Sequence, residues 1–72
     1  MMPLTMAQAG TQVRLIAVEA GRGLQARLAA MGLVPGTEIE VISNGLRGPF
    51  IIGVKGSRIV LGRGMAQQMR VA

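Results

Sequence analysis

The stretches of this 72-residue chain that could do chemistry are few, and each has to be weighed against a plainer reading. Gly21-Arg22-Gly23-Leu24-Gln25-Ala26 matches G-x-G-x-x-A, the backbone cradle that seats a pyrophosphate on a helix N-terminus. That cradle needs a ribose-binding acid about 20 positions further on, where this chain has Ser43-Asn44. The chain is also too short for a doubly wound sheet, so the stretch reads as a turn that feeds a helix. Gly48 to Lys55 (GPFIIGVK) has the outline of a phosphate loop. Its lysine stands one place late, no Ser or Thr directly follows it, and apolar β-formers fill the loop, so it reads as a strand. Glu38 and Glu40 share one strand face and could offer oxygens to a hard cation. A dedicated site requires several more such ligands, and an exposed strand edge accounts for the pair.

What the chain lacks narrows the choice further. There is no His, Cys, Asp or Tyr, which removes disulfides, thiolate sites, the usual zinc ligands and the usual general base at neutral pH. The hydroxyls of Thr5, Thr11, Thr37, Ser43 and Ser57 are the remaining nucleophiles, and none has an evident base beside it. No catalytic residue, cofactor site or metal site is expected. Eight basic residues against three glutamates give a net charge of +5 and a bias toward anionic partners. Arg14, Arg22, Arg27, Arg47, Lys55, Arg58, Arg63 and Arg70 are spread singly, the pattern of solvated strand and loop faces. Phe50 is the single aromatic residue, a poor stacking platform for nucleic acid and a natural core residue. Met31 and Met69 are expected to fill the core.

These residues must be positioned by short elements in one domain spanning 1–72. Val13 to Glu19 reads as a strand with Val13, Leu15 and Ala17 on one face, after a helical turn in residues 4–9. The period then changes: Leu24, Leu28 and Met31 recur at helical spacing, giving one short helix over about 22–31. Gly32 supplies a left-handed cap after Met31, with Leu33 closing over Leu28, and Val34-Pro35-Gly36-Thr37 follows as a type II turn. Glu38 to Ser43 is the next strand, with Thr37, Ile39 and Val41 facing one way and Glu38, Glu40 and Ile42 the other. A loop from Asn44 to Pro49 leads to Phe50–Val54, a Lys55-Gly56 turn and Arg58–Leu61. Met65–Gln67 can form one helical turn and Gln68–Val71 a closing strand. About five short strands and one helix, with half the residues apolar, are best satisfied by a mostly β, partly open barrel. Gly53 and Gly56 fall where strands would bend or reverse. The longest apolar runs fall far below the roughly 20 residues of a spanning helix. The N-terminus lacks the early positive charge and apolar run of a signal peptide. A cytoplasmic location is the expectation.

Over nearly its whole length the chain resembles the FeoA family (ferrous iron transport protein A). The likeness is carried by RLAAMGLVPGTEIEVI (27–42), GPFIIGVKGSRIVL (48–61) and AQQMRV (66–71). Its most specific part is Arg27, Leu28, Met31, Gly32, Leu33, Pro35 and Gly36. The same stretch is similar to the C-terminal SH3-like domains of some iron-dependent repressors. The resemblance implies an SH3-like barrel with its helix between the first two strands. The implied role is that of a cytosolic accessory protein docking on FeoB, a membrane transporter with a cytosolic GTPase domain, and so peripheral to the inner membrane through that partner. Candidate contacts are Arg22, Ile42, Leu46, Arg47, Lys55 and Arg58, a half-polar rim around exposed apolar groups. An exposed Ile42 or Leu46 could also support a homodimer. Two rival readings stand beside this one: a nucleic-acid-binding barrel, and a detached regulatory domain of an iron-dependent repressor.

Overall fold

The computed structural model describes residues 1–45 and 48–72 of the chain. Its strands are β1 (Met2–Pro3), β2 (Gln12–Val18), β3 (Glu38–Asn44), β4 (Phe50–Val54), β5 (Ser57–Leu61) and β6 (Met69–Val71). Helix α1 (Arg22–Ala30) lies between β2 and β3, helix α2 (Arg63–Gln67) between β5 and β6, and a 3-10 turn spans Leu4–Met6. Among the described residues six strands and two helices stand where five strands, one helix and a helical turn at Met65–Gln67 are expected. That turn is the end of α2, which begins at Arg63, and the added strand, β1, has two residues, fewer than hydrophobic periodicity can register.

Among the described residues all pairings are antiparallel, and the strand order is β1-β6-β2-β3-β4-β5. β2 makes the sheet curl. Gln12–Arg14 pair with β3, whereas Leu15–Val18 pair with β6, with a bulge between Leu15 and Ala17. Arg14 exchanges main-chain bonds with Ala72 (2.8 and 3.0 Å), while Leu15 donates to the Thr37 carbonyl and accepts from the Gly36 N–H. One strand thereby belongs to both halves of the barrel, and the bulge supplies the extra twist that rolls them together. The bulge also corrects the expected face of β2. Val13 and Leu15 point inward, but Ala17 pairs with Arg70, and it is Val18, opposite Met69, that packs on the core.

The core is filled by side chains that are less than 4% exposed, among them Leu4, Leu15, Leu28, Ile39, Phe50 and Met69. The halt after α1 follows the expected geometry. Gly32 has φ +87, its N–H donates to the Ala29 carbonyl, and the Leu33 N–H donates to the Leu28 carbonyl, so both bonds of a Schellman motif are made. Leu28 and Leu33 are both buried behind it. The type II turn follows directly, with Gly36 at φ +96 and the Thr37 N–H donating to the Val34 carbonyl at 3.0 Å. Thr37 ties the two motifs together: its hydroxyl donates to the Gly32 carbonyl (3.0 Å) and accepts from the Val34 N–H (3.3 Å). Met31 departs from expectation. As the C-cap it is swung off the helix face and is 40% exposed, whereas Met69 is fully buried as foreseen.

Candidate protein-contact site

Gln12, Glu40, Gly53 and Arg58 stand in register across β2, β3, β4 and β5, forming a row on the outer face of the sheet. Gly53 is the low point of that row. A methyl group there would come within 3.3 Å of both Glu40 Oε1 and Ile42 Cδ1, so the missing side chain is the floor on which those two groups rest. That clearance is a role the sequence reading does not include. The resulting open cleft has a volume of about 490 Å³, with Glu38, Glu40 and Ile42 on the β3 side and Lys55 and Arg58 on the hairpin side. Glu38 and Glu40 lie on the face of a central strand paired on both sides, not on a sheet edge as expected.

Three of the residues singled out from sequence, Ile42, Lys55 and Arg58, therefore meet in one cleft. Arg22 is the first residue of α1 and does not line it. Leu46 and Arg47 lie outside the described residues. Lys55 is unusual in its backbone. With φ +52 it is the one non-glycine residue of positive φ among those described, and with Gly56 (φ +81) it makes the two-residue turn between β4 and β5. Turns of that hand favour Asn, Asp or Gly, and a lysine there costs about 1 kcal/mol.

The charges of the cleft are only partly matched. Glu38 stands 3.6 Å from Arg14, both well exposed, a pairing worth little by itself. Among the described residues, Glu40, Lys55 and Arg58 form no ion pair. Nor, among those residues, do three or more His, Cys, Asp or Glu side chains gather as they would around a metal ion. The dinucleotide reading fails on topology: β2 and β3, which flank α1, are antiparallel, whereas the cradle belongs to a parallel βαβ unit. What the cleft offers is an apolar group rimmed by separated charges of both signs, the make-up of a transient contact surface.

A second arrangement went unread in the sequence. β3 carries a bulge between Val41 and Ser43, so Ser43 pairs with the outward Ile51 while Asn44 pairs with the buried Phe50 and turns inward. Its Nδ2 donates to the carbonyls of Thr5 (3.0 Å) and Ala7 (2.6 Å), and its Oδ1 accepts from Arg63 Nη2 (3.0 Å). Arg63 also donates to the Gly45 carbonyl and lies 5.7 Å over the Phe50 ring. The Thr5 hydroxyl donates to Gln67 of α2 at 2.7 Å. These bonds tie the N-terminal turn, the end of β3 and α2 across one mouth of the barrel.

The architecture so described, an antiparallel barrel left partly open with a helix between the two strands that curl it, is that of an SH3-like domain. Comparison with known proteins agrees. The FeoA domain family matches residues 2–72, and the chain belongs to that family. A protein of Methanocaldococcus jannaschii assigned as Fe(2+) transport protein A is 42% identical over 71 residues, covering 99% of this chain and 85% of the relative. The crystal structure of an iron uptake regulatory protein, FeoA, superposes with a TM-score of 0.88 at 32% identity, covering 99% of this chain and 93% of the other. Stenotrophomonas maltophilia FeoA, crystallised with zinc and described as a procaryotic SH3 domain protein, gives 0.84 at 25% identity over 100% and 91%. The zinc-bound form of ScaR gives 0.86 at 25% identity, but there the match covers 99% of this chain and 36% of the other, as one domain of a larger protein would.

Proposed function

We propose that this chain is an accessory protein of ferrous iron uptake that works without catalysis, by docking its β3–β5 outer face on the cytosolic part of a FeoB-type membrane GTPase. The observation that carries the reading is the meeting of Ile42, Lys55 and Arg58 around the Gly53 floor. The cleft has an apolar group to desolvate and unpaired charges to orient a partner, and no assembled chemistry. Among the described residues no helix is long and apolar enough to cross a membrane, so in this reading attachment to the membrane is through the partner. Nucleic-acid binding is not favoured, because Phe50, the one ring that could stack on a base, is fully buried.

The test is recovery of the transporter, or of its purified cytosolic GTPase region, on immobilised protein. Wild type should retain it, and Ile42→Asp or the pair Lys55→Glu and Arg58→Glu should weaken retention by about tenfold or more, as the loss of an interface anchor does. A wild-type protein that retains neither the whole transporter nor the soluble region overturns the reading.

A further inference from the structure

The two ends of the sheet are finished differently. β1 at one end is two residues long and contains Pro3, which is how an edge is blunted. β5 at the other end is five residues long, regular and free of proline, and among the described residues it pairs with β4 alone. In the two-residue hairpin at Lys55-Gly56 the flanking pair Val54–Ser57 is hydrogen-bonded, and the bonding alternates along the ladder. Ser57, Ile59 and Leu61 therefore turn their main-chain groups toward β4, and Arg58 and Val60 turn theirs to the open side. No main-chain bond to Arg58 or Val60 from outside the ladder is made among the described residues. Both side chains lie on the outer face, opposite Gly53 and Ile51, and Val60 is 67% exposed.

We infer that the outer edge of β5 accepts an extended acidic segment of a partner as an added strand, main chain to main chain with Arg58 and Val60. Side-chain rows of the sheet set what that segment carries. The row ending in Arg58 calls for a carboxylate, and the row of Ile51 and Val60 calls for a β-branched apolar residue two positions away. Charge selects the occupant: Arg58 and the neighbouring Lys55 have no ion pair among the described residues, and a chain of net charge +5 repels a second copy of itself. The inference deepens the docking proposal above and rests on it only for the identity of the protein that supplies the segment.

The experiment uses the full chain, labelled for amide NMR, and a soluble peptide repeating Glu-Thr-Val-Thr, which sets a glutamate and a valine two positions apart on one face, with a Lys-Thr-Val-Thr repeat as the charge control. The glutamate peptide should shift the Arg58 and Val60 amides and slow their exchange, and the effect should weaken as salt rises. Val60→Pro removes an edge N–H without touching the β4 ladder, so it should leave the melting transition nearly unchanged and weaken peptide binding about tenfold, the size of one lost hydrogen bond. Val60→Thr, which keeps the N–H, should bind as wild type does. Equal response to both peptides, no response at Arg58 and Val60, or full binding by Val60→Pro overturns the inference. So does protection of β5 amides that rises with concentration in the protein alone, which would make a second copy the occupant. Transporter recovered with β5 unprotected would sink the edge and spare the docking reading, whereas peptide binding without transporter recovery would do the reverse.

Discussion

Arg63 and Asn44 meet across the mouth of the barrel, guanidinium Nη2 to amide Oδ1 at 3.0 Å, and the contact fixes which way the Asn44 amide points. With Oδ1 engaged, Nδ2 is left to satisfy the Thr5 and Ala7 carbonyls. Asn44→Ala should strip partners from both and destabilise the fold by about 1–3 kcal/mol, as unsatisfied half-buried groups do. In a domain of this size that lowers the thermal midpoint by about 4–8 °C per kcal/mol, read by a melt followed by circular dichroism. Arg63→Lys should lose a smaller part of this, because a lysine keeps the charge but not the planar fork.

Phe50 is fully buried beneath Arg63 and is the largest side chain of the core. Phe50→Ala should cost about 3–5 kcal/mol, a large part of the roughly 5–10 kcal/mol available to a small domain. Urea titration should give a midpoint lower by about a third or more, and at the low end of that range a chain already unfolded. Phe50→Leu, closer in volume, should remain folded.

Two glycine substitutions should separate folding from docking. At Gly36, φ is +96 and nothing lies within 4 Å of an added methyl, so Gly36→Ala costs conformational energy alone, about 1–2 kcal/mol. At Gly53 the backbone is ordinary, and the methyl meets the far ends of Glu40 and Ile42. Gly53→Ala should therefore change stability by less than about 1 kcal/mol, because those flexible ends can shift, yet displace both groups over the cleft. The measured outcome should be a weaker partner complex from Gly53→Ala and a lower melting midpoint from Gly36→Ala.

Lys55 pays in backbone strain for its place at the hairpin tip. Lys55→Asn suits the turn better and should stabilise the protein by about 0.5–1 kcal/mol while weakening the partner complex and flattening its salt dependence. A variant both more stable and equally good at binding would show that the lysine contributes nothing to docking.

The halt at Gly32 and the reversal at Pro35-Gly36 were legible because each depends on one residue type with one backbone preference, and both recur in the structure bond for bond. The buried positions before the bulges, Val13, Leu15, Ile39 and Val41, followed from strict alternation. Past each bulge alternation misleads, since one unpaired residue exchanges the faces of all that follow. That is why alternation sets Ala17 inward and Asn44 reads as a turn residue. Of the contact residues, Ile42 on β3, Lys55 in the β4–β5 turn and Arg58 on β5 are legible in the sequence as outward side chains on either side of β4. The role of Gly53 beneath them was invisible, because clearance belongs to the side chains above a glycine and not to the glycine. The Arg63–Asn44 tie could have been suspected only from an amide residue ending a β-branched run.

The sharing of β2 between the two halves of the barrel has a kinetic consequence. Leu15–Val18 find their partners in Met69–Val71, and Met2 finds its partner in Val71, so the contacts that finish the sheet span almost the whole chain. A nascent polypeptide can form the β3–β4–β5 meander early, but it cannot close until Met69–Val71 have left the ribosome. Folding should be slow for so small a domain, as high contact order dictates, with the open β5 edge present throughout the wait.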